Sequence, residues 1–96
     1  MSEDISKPKK AHLRKLYLAY LIDSSKQSLV SLVDETGMPK RTIQTAMAAF
    51  DDIGIEYNFE QDGVRNRHGY YKINSWGPNN KKWIKDNLQY VIDVLQ

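Results

Sequence analysis

The fold is decided by the stretch Ser28-Leu-Val-Ser-Leu-Val-Asp-Glu-Thr-Gly-Met-Pro-Lys-Arg-Thr-Ile-Gln-Thr-Ala-Met-Ala-Ala-Phe-Asp-Asp-Ile-Gly-Ile55, which holds two apolar-periodic runs only a few residues apart. Gly37 lies between the runs, and a sharp turn between helices needs a residue that accepts a positive φ. Ser28 is a favourable N-cap for the first helix, and Pro39 suits the first position of the second. The stretch therefore predicts two helices joined by a tight turn.

The apolar spacing predicts which faces of these two helices meet. The residues expected in their shared core are Leu29, Leu32 and Val33 on the first helix and Ile43, Ala46, Met47, Phe50 and Ile53 on the second. The residues left facing outward at the start of the second helix are Lys40, Arg41, Gln44 and Thr45, with Ala48 one turn on. This polar, partly cationic strip is suited to entering a groove.

Composition limits the class of protein. A length of 96 residues with 41% hydrophobic content fits one small domain with a modest core. The absence of cysteine excludes a disulfide framework, a thiolate nucleophile and a cysteine-containing zinc site. The first ten residues lack the apolar segment of a signal peptide, and no apolar run is long enough to cross a bilayer. We therefore expect a soluble, cytoplasmic protein without membrane association.

Charge is unevenly distributed along the chain, although the net charge is only +2. Residues 7–15 contain five lysines and arginines and no acid, whereas residues 51–60 contain four acids and no base. A positive face would result if the fold brought the first cluster beside Lys40 and Arg41. The cluster is either a phosphate-binding arm or a solubilising start to the first helix; cations at a helix N-terminus oppose its dipole.

The rest of the chain divides into a tail, further helices and a hairpin. The charged residues 1–8, interrupted by Pro8, predict a flexible tail, and the apolar spacing predicts a first helix over 9–23. Residues 24–27 are a polar connector, which we expect to pair briefly as an edge strand. Alternation from Ile55 predicts a strand, residues 61–69 a basic turn and residues 70–76 a returning strand. The apolar spacing of residues 79–96 predicts a last helix.

This order resembles the winged helix-turn-helix family of mostly bacterial DNA-binding domains. The most specific part of the resemblance is Thr36-Gly-Met-Pro-Lys-Arg-Thr-Ile-Gln44 followed by Phe50-Asp-Asp-Ile-Gly-Ile55. It implies an α+β, mainly α fold with a three-helix core and a β-hairpin wing over residues 9–76, and an extra C-terminal helix over 77–96. It also implies duplex DNA binding and a role as a transcriptional regulator, with helix 40–53 in the major groove.

The resemblance assigns roles to individual residues. In a helix-turn-helix, Arg41 and Gln44 would read bases, whereas Lys40 and Thr45 would contact phosphates. The alternative is that all four simply form the solvated face of a helix. In the 61–69 wing, Arg65, Arg67 and His68 would reach the backbone or the minor groove, or else form a solvated hairpin tip.

Catalysis and metal binding find no support in the motifs. His12 and His68 are far apart in the sequence and have no cysteine partners, so they form no metal-ligand spacing. The acid pairs 34–35 and 51–52 would point in different directions on a helix and cannot converge on one substrate atom. We expect neither an enzyme nor a cofactor.

The last helix carries more apolar residues than one face of a small core needs. We therefore expect it to join two copies of the chain into a homodimer through Trp83, Leu88, Val91 and Leu95. The alternative is that it packs on the first helix of its own chain. A second function remains open: a winged-helix protein-interaction module without DNA binding, using the terminal helix and the acidic residues 51–60.

Overall fold

Helices and one β-hairpin make up the computed structural model, which describes residues 5–61 and 69–96. The elements in chain order are α1 (Lys7–Ser24), α2 (Leu29–Thr36), α3 (Lys40–Ala48), a 3-10 helix (Phe50–Ile53), β1 (Glu56–Gln61), β2 (Gly69–Ser75), α4 (Lys81–Asp86) and α5 (Leu88–Leu95). Contacts from α3, β2, α4 and α5 all converge on α1. The predicted fold class, α+β and mainly α with a hairpin and C-terminal helix, is confirmed.

The first helix begins earlier than predicted. Its N-cap is Ser6, whose hydroxyl accepts a hydrogen bond from the backbone N–H of Lys9 at 3.2 Å. Pro8 lies inside the first turn, where its missing N–H costs no intrahelical bond. The expectation that Pro8 precedes the helix is therefore wrong, because proline is compatible with a helix start.

The turn between α2 and α3 follows the prediction. Ser28 caps α2, and its backbone and side chain exchange hydrogen bonds with those of Ser31 in a capping box. Gly37 ends α2 with φ at 75°, in the left-handed region, and its N–H donates to the Val33 carbonyl at 2.8 Å. A single glycine thus both satisfies the end of α2 and redirects the chain into α3.

The second of these helices differs from the prediction at both ends. Pro39 is the N-cap of α3 and not its first helical residue. The predicted helix over 40–53 is two segments, because Ala49 leaves the α-helical region and its N–H bonds to the Ala46 carbonyl at 3.1 Å. The 3-10 helix then carries the chain to Gly54, whose φ of 85° turns it into the hairpin.

The hairpin is antiparallel, with Phe59 opposite Tyr71 and an irregularity between Glu56 and Tyr57. The predicted pairing of the 24–27 connector is also found, since the Gln27 carbonyl accepts a hydrogen bond from the Tyr71 N–H at 2.8 Å. This bridge attaches the hairpin to the segment that leads into α2.

The C-terminal region corrects a further prediction. The single helix expected over 79–96 is two helices, α4 and α5, separated at Asn87. Asn87 leaves the α-helical region with φ −113° and ψ 24°, and its backbone N–H and side-chain amide both donate to the Trp83 carbonyl, at 3.0 and 2.9 Å. Both helices pack on α1 of the same chain, as the intramolecular alternative required.

One apolar core joins these elements. Its fully buried large side chains are Phe50, Leu18, Leu32, Ile43, Ile55, Ile84 and Val91. Phe50 also meets Tyr57 edge to face, with ring centroids 5.4 Å apart. The core therefore includes residues from α1, the two-helix unit, the hairpin root and the C-terminal helices, which fixes α3 in a defined orientation.

Candidate nucleic-acid interface

The outer face of α3 is exposed, as predicted. Ile43, Ala46 and Met47 are buried on the opposite face of the helix. The exposed residues are Lys40, Arg41, Gln44, Thr45 and Ala48. The orientation follows from the helical period, because burying the apolar stripe leaves the polar positions pointing away from the core. α3 thus presents two cations, an amide and a hydroxyl to the surroundings.

A groove runs between this face and α1. It has a volume of about 350 Å³. Arg41 and Thr45 line it from α3, and Arg14 and Lys15 line it from α1. The hypothesis that the fold brings part of the N-terminal basic cluster beside the second helix of the pair is therefore confirmed for Arg14 and Lys15. The sequence suggested this cluster but could not place it.

Neutralising carboxylates are absent from the groove within the described residues. Among residues 5–61 and 69–96, none of Arg14, Lys15, Lys40 or Arg41 forms an ion pair with a carboxylate. Asp34 borders a separate, smaller groove of about 240 Å³ beside Lys40. The positive charge of the α1–α3 side is thus available to an external anion.

Strands β1 and β2 flank the predicted wing, and the wing residues Arg65, Arg67 and His68 lie outside the described residues. At the ends of the strands, the Phe59 ring lies so close to Gly69 that a β-carbon at position 69 would collide with it. Phe59 is half exposed and packs edge to face on Tyr71, with centroids 5.2 Å apart. Glycine is therefore required at position 69 for this arrangement.

Gln27 is a buried polar residue that the sequence analysis did not single out. Its amide nitrogen donates to the Glu35 carboxylate at 2.8 Å, and its amide oxygen accepts from the Ser31 hydroxyl at 2.7 Å. Burial and, secondarily, the charge of Glu35 raise the pKa of Tyr17. Gln27 thus connects α2 to the hairpin, because its carbonyl also accepts from the Tyr71 N–H. No sequence pattern marks it, because its link to the hairpin depends on tertiary packing.

The residues predicted for a dimer interface differ in how much of each side chain is exposed to solvent. Trp83 is 40% exposed, and Leu88 and Leu95 are half-buried. Val91 has no exposed surface within the chain. The prediction is therefore wrong for Val91, because this side chain already fills the core. Tyr90, another aromatic residue of the last helix, is 41% exposed, and its ring centroid lies 6.0 Å from the Lys9 ammonium.

Residues 5–61 and 69–96 contain neither a membrane-spanning helix nor a cluster of metal ligands. None of the helices there is both long and apolar enough to cross a bilayer. Over the same ranges, no three His, Asp or Glu side chains cluster closely enough to hold a metal ion.

Comparison with known proteins identifies a matching family and a similar solved structure. A family model described as winged helix-turn helix matches residues 7–95. A DUF2131 family protein from Shewanella amazonensis SB2B, with a crystal structure at 2.50 Å resolution, is 50% identical in sequence, with a TM-score of 0.90. That alignment covers 95% of this chain and 94% of the Shewanella chain. A comparison with curated proteins gave no match.

Proposed function

Because the chain belongs to the winged helix-turn helix family, we propose that it binds duplex DNA sequence-specifically and acts as a transcriptional regulator. The observation that carries the proposal is the exposed face of α3, which continues into the cationic α1–α3 groove without a neutralising carboxylate among the described residues. Long-range attraction to phosphates and short-range polar groups for base edges are the two requirements of such a protein.

The roles within α3 follow from side-chain chemistry. Arg41 can donate to guanine O6 and N7, and Gln44 can form a pair of hydrogen bonds with adenine. Lys40 and Thr45 supply phosphate contacts, which set the register of the helix without reading sequence. All four side chains are exposed in the free protein, so no rearrangement of the core is needed for them to reach DNA.

The wing belongs to the same proposal. Arg65, Arg67 and His68 would contact the backbone or an adjacent minor groove, where the negative potential favours cations. Support comes from the paired strands on either side of them and from the Gln27–Tyr71 bridge, which ties the hairpin to α2. A chain with this activity acts where chromosomal DNA lies, so the proposal includes a cytoplasmic location.

Fluorescence anisotropy with a labelled duplex tests the proposal. Binding at low salt should weaken steeply as salt rises, and Lys40→Ala/Arg41→Ala should weaken it further. The matched control is Lys82→Ala/Lys85→Ala, which removes the same charge from α4 and is first shown by sedimentation to have the oligomeric state of the wild type. Selection of duplexes from a random library then tests sequence specificity. Absence of binding at low salt would refute DNA binding and favour the protein-interaction module.

We also propose that the protein forms a homodimer through the exposed side of α4 and α5, using Trp83, Leu88 and Leu95. Support comes from the exposed Trp83 ring and from the position of this surface. The residues of α1 that line the groove beside Trp83, such as Leu13 and Leu16, lie on the opposite flank from those beside α3. A dimer formed there leaves both copies of α3 free.

Analytical sedimentation of the wild type and of Trp83→Asp tests the dimer. A dimeric wild type and a monomeric, folded variant are the expected pair of results. A wild type that sediments as a monomer, like the variant, would refute the dimer. The proposal for α3 would be unaffected, because the α3 surface and the dimer surface lie on different flanks of α1.

A further inference from the structure

We propose that the α1–α3 groove is a phosphate subsite, in which Arg14 and Lys15 hold one backbone phosphate of the bound duplex. This inference rests on the proposed DNA binding by α3, and it adds a contact from a helix to which the sequence could assign no definite role. It is carried by three features of the groove: its floor, its charge and its position beside α3.

The floor of the groove consists of small side chains. Ala11 of α1 and Ala46 and Ala49 at the end of α3 line it, together with the hydroxyl-bearing Thr42 and Thr45. The methyl side chains of these alanines fill little of the space between the two helices, which leaves a volume of about 350 Å³ open. Threonine hydroxyls are common donors to phosphate oxygens. The groove therefore offers both space and hydrogen-bond donors to a tetrahedral anion.

Three cations line the groove: Arg41 from α3, and Arg14 and Lys15 from one flank of α1. Arg14 and Lys15 lie three and four residues after Ala11, so all three are neighbours on the helix surface. Both cations of α1 are half-buried, and neither is ion-paired with a carboxylate in residues 5–61 or 69–96. A planar guanidinium matches the geometry of phosphate, and the lysine ammonium adds a point charge.

The position of the groove determines what this contact does. Arg41 and Thr45 form its α3 wall, so a phosphate held by Arg14 and Lys15 lies directly beside the helix proposed to read bases. Such a contact fixes the depth and register of α3 but carries no sequence information. Its loss must therefore weaken binding to every duplex by a similar factor.

The test compares Arg14→Gln/Lys15→Gln with the wild type on a selected duplex and on a scrambled duplex of the same length. Glutamine keeps most of each aliphatic stem, which limits the loss of packing. We expect affinity to fall roughly tenfold on both duplexes. The slope of log affinity against log salt should become shallower by about 0.9, as for one phosphate. Thermal unfolding confirms that each variant is folded.

Two further variants keep the proposal falsifiable. Ala11→Leu fills the groove without changing any charge and should also weaken binding to both duplexes. Lys82→Gln/Lys85→Gln removes the same charge from α4 and should have a much smaller effect, once sedimentation shows that its oligomeric state equals that of the wild type. Equal effects of the two charge-removing variants, or full binding by Ala11→Leu, would overturn the subsite alone. Absence of wild-type binding at low salt would instead overturn the proposed function, and the subsite with it.

An ionic competitor identifies the source of the phosphate. Inorganic phosphate, compared with chloride at equal ionic strength, should displace the duplex only weakly from the wild type, because most affinity comes from contacts along the DNA. Saturable binding of inorganic phosphate that is as tight as the duplex, and is abolished by Arg14→Gln/Lys15→Gln, would assign the groove to a free anion and overturn its assignment to DNA.

Discussion

Replacement of Gly37 by alanine isolates the conformational requirement of the turn between α2 and α3. Gly37 has a φ of 75°, and a β-carbon there would meet no atom within 4 Å. The cost is therefore conformational and not steric. The left-handed conformation costs an L-residue about 1–2 kcal/mol, and the reduced freedom of the unfolded chain returns about 0.4–1 kcal/mol. We expect a net loss of about 1 kcal/mol and a fall in Tm of about 4–8 °C.

Chemical denaturation and calorimetry measure this loss, and two variants bracket it. Gly37→Asn should lose less, because asparagine tolerates the left-handed region better than alanine does. Gly77→Ala should lose more, since φ is 59° there and a β-carbon would also collide with the Gly54 carbonyl. A Gly37→Ala variant as stable as the wild type, or one as damaged as Gly77→Ala, would refute the reasoning about the turn.

Three further predictions concern the core, the buried amide and the end of α1. Phe50→Ala should lower the free energy of unfolding by about 3–5 kcal/mol, because the ring is fully buried; a loss below about 1 kcal/mol by urea denaturation would contradict its burial. Gln27→Leu should cost about 0.5–1.5 kcal/mol, because the buried amide loses its hydrogen bonds to Glu35 and Ser31; unchanged stability would contradict that network. Burial alone would raise the pKa of Asp23, but hydrogen bonds from Lys81 and Trp76 and the charge of Lys81 hold that pKa below its ordinary value of 3.8. Because its folded pKa is depressed, Asp23 contributes stability above about pH 4, and this contribution is lost as pH falls through the folded pKa. The difference in the free energy of unfolding between wild type and Asp23→Asn should therefore shrink on acidification. A difference that grows would contradict this role of Asp23.

Features set by neighbouring residues could be predicted from the sequence. The cap at Ser28 and the turn at Gly37 depend on local backbone chemistry, and both are found as predicted. The outward face of α3 follows from its helical period alone. The break at Asn87 is the opposite case, since the apolar pattern continues across it while the Asn87 backbone leaves the helical region and its side-chain amide bonds back to the Trp83 carbonyl.

Features set by packing between distant segments could not be predicted in the same way. The α1–α3 groove depends on how α1 crosses α3, so the sequence suggested a basic cluster but not its neighbours. Gln27 carries no sequence signature, because its burial depends on α2 and β2 enclosing it. The apolar pattern of the last helix places Val91 in an interface but does not show whether its own chain or a second copy buries it.

Backbone amide chemical-shift mapping with a duplex tests the account most directly, because it locates the contact surface residue by residue. On titration with DNA at low salt, we predict that the largest shifts fall within Lys40–Ala48 and on the flank of α1 that carries Arg14 and Lys15. Residues of α4 and α5 should shift least. Shifts concentrated on α4 and α5, or no shifts at all, would contradict the claim that the exposed face of α3 is a DNA-binding surface.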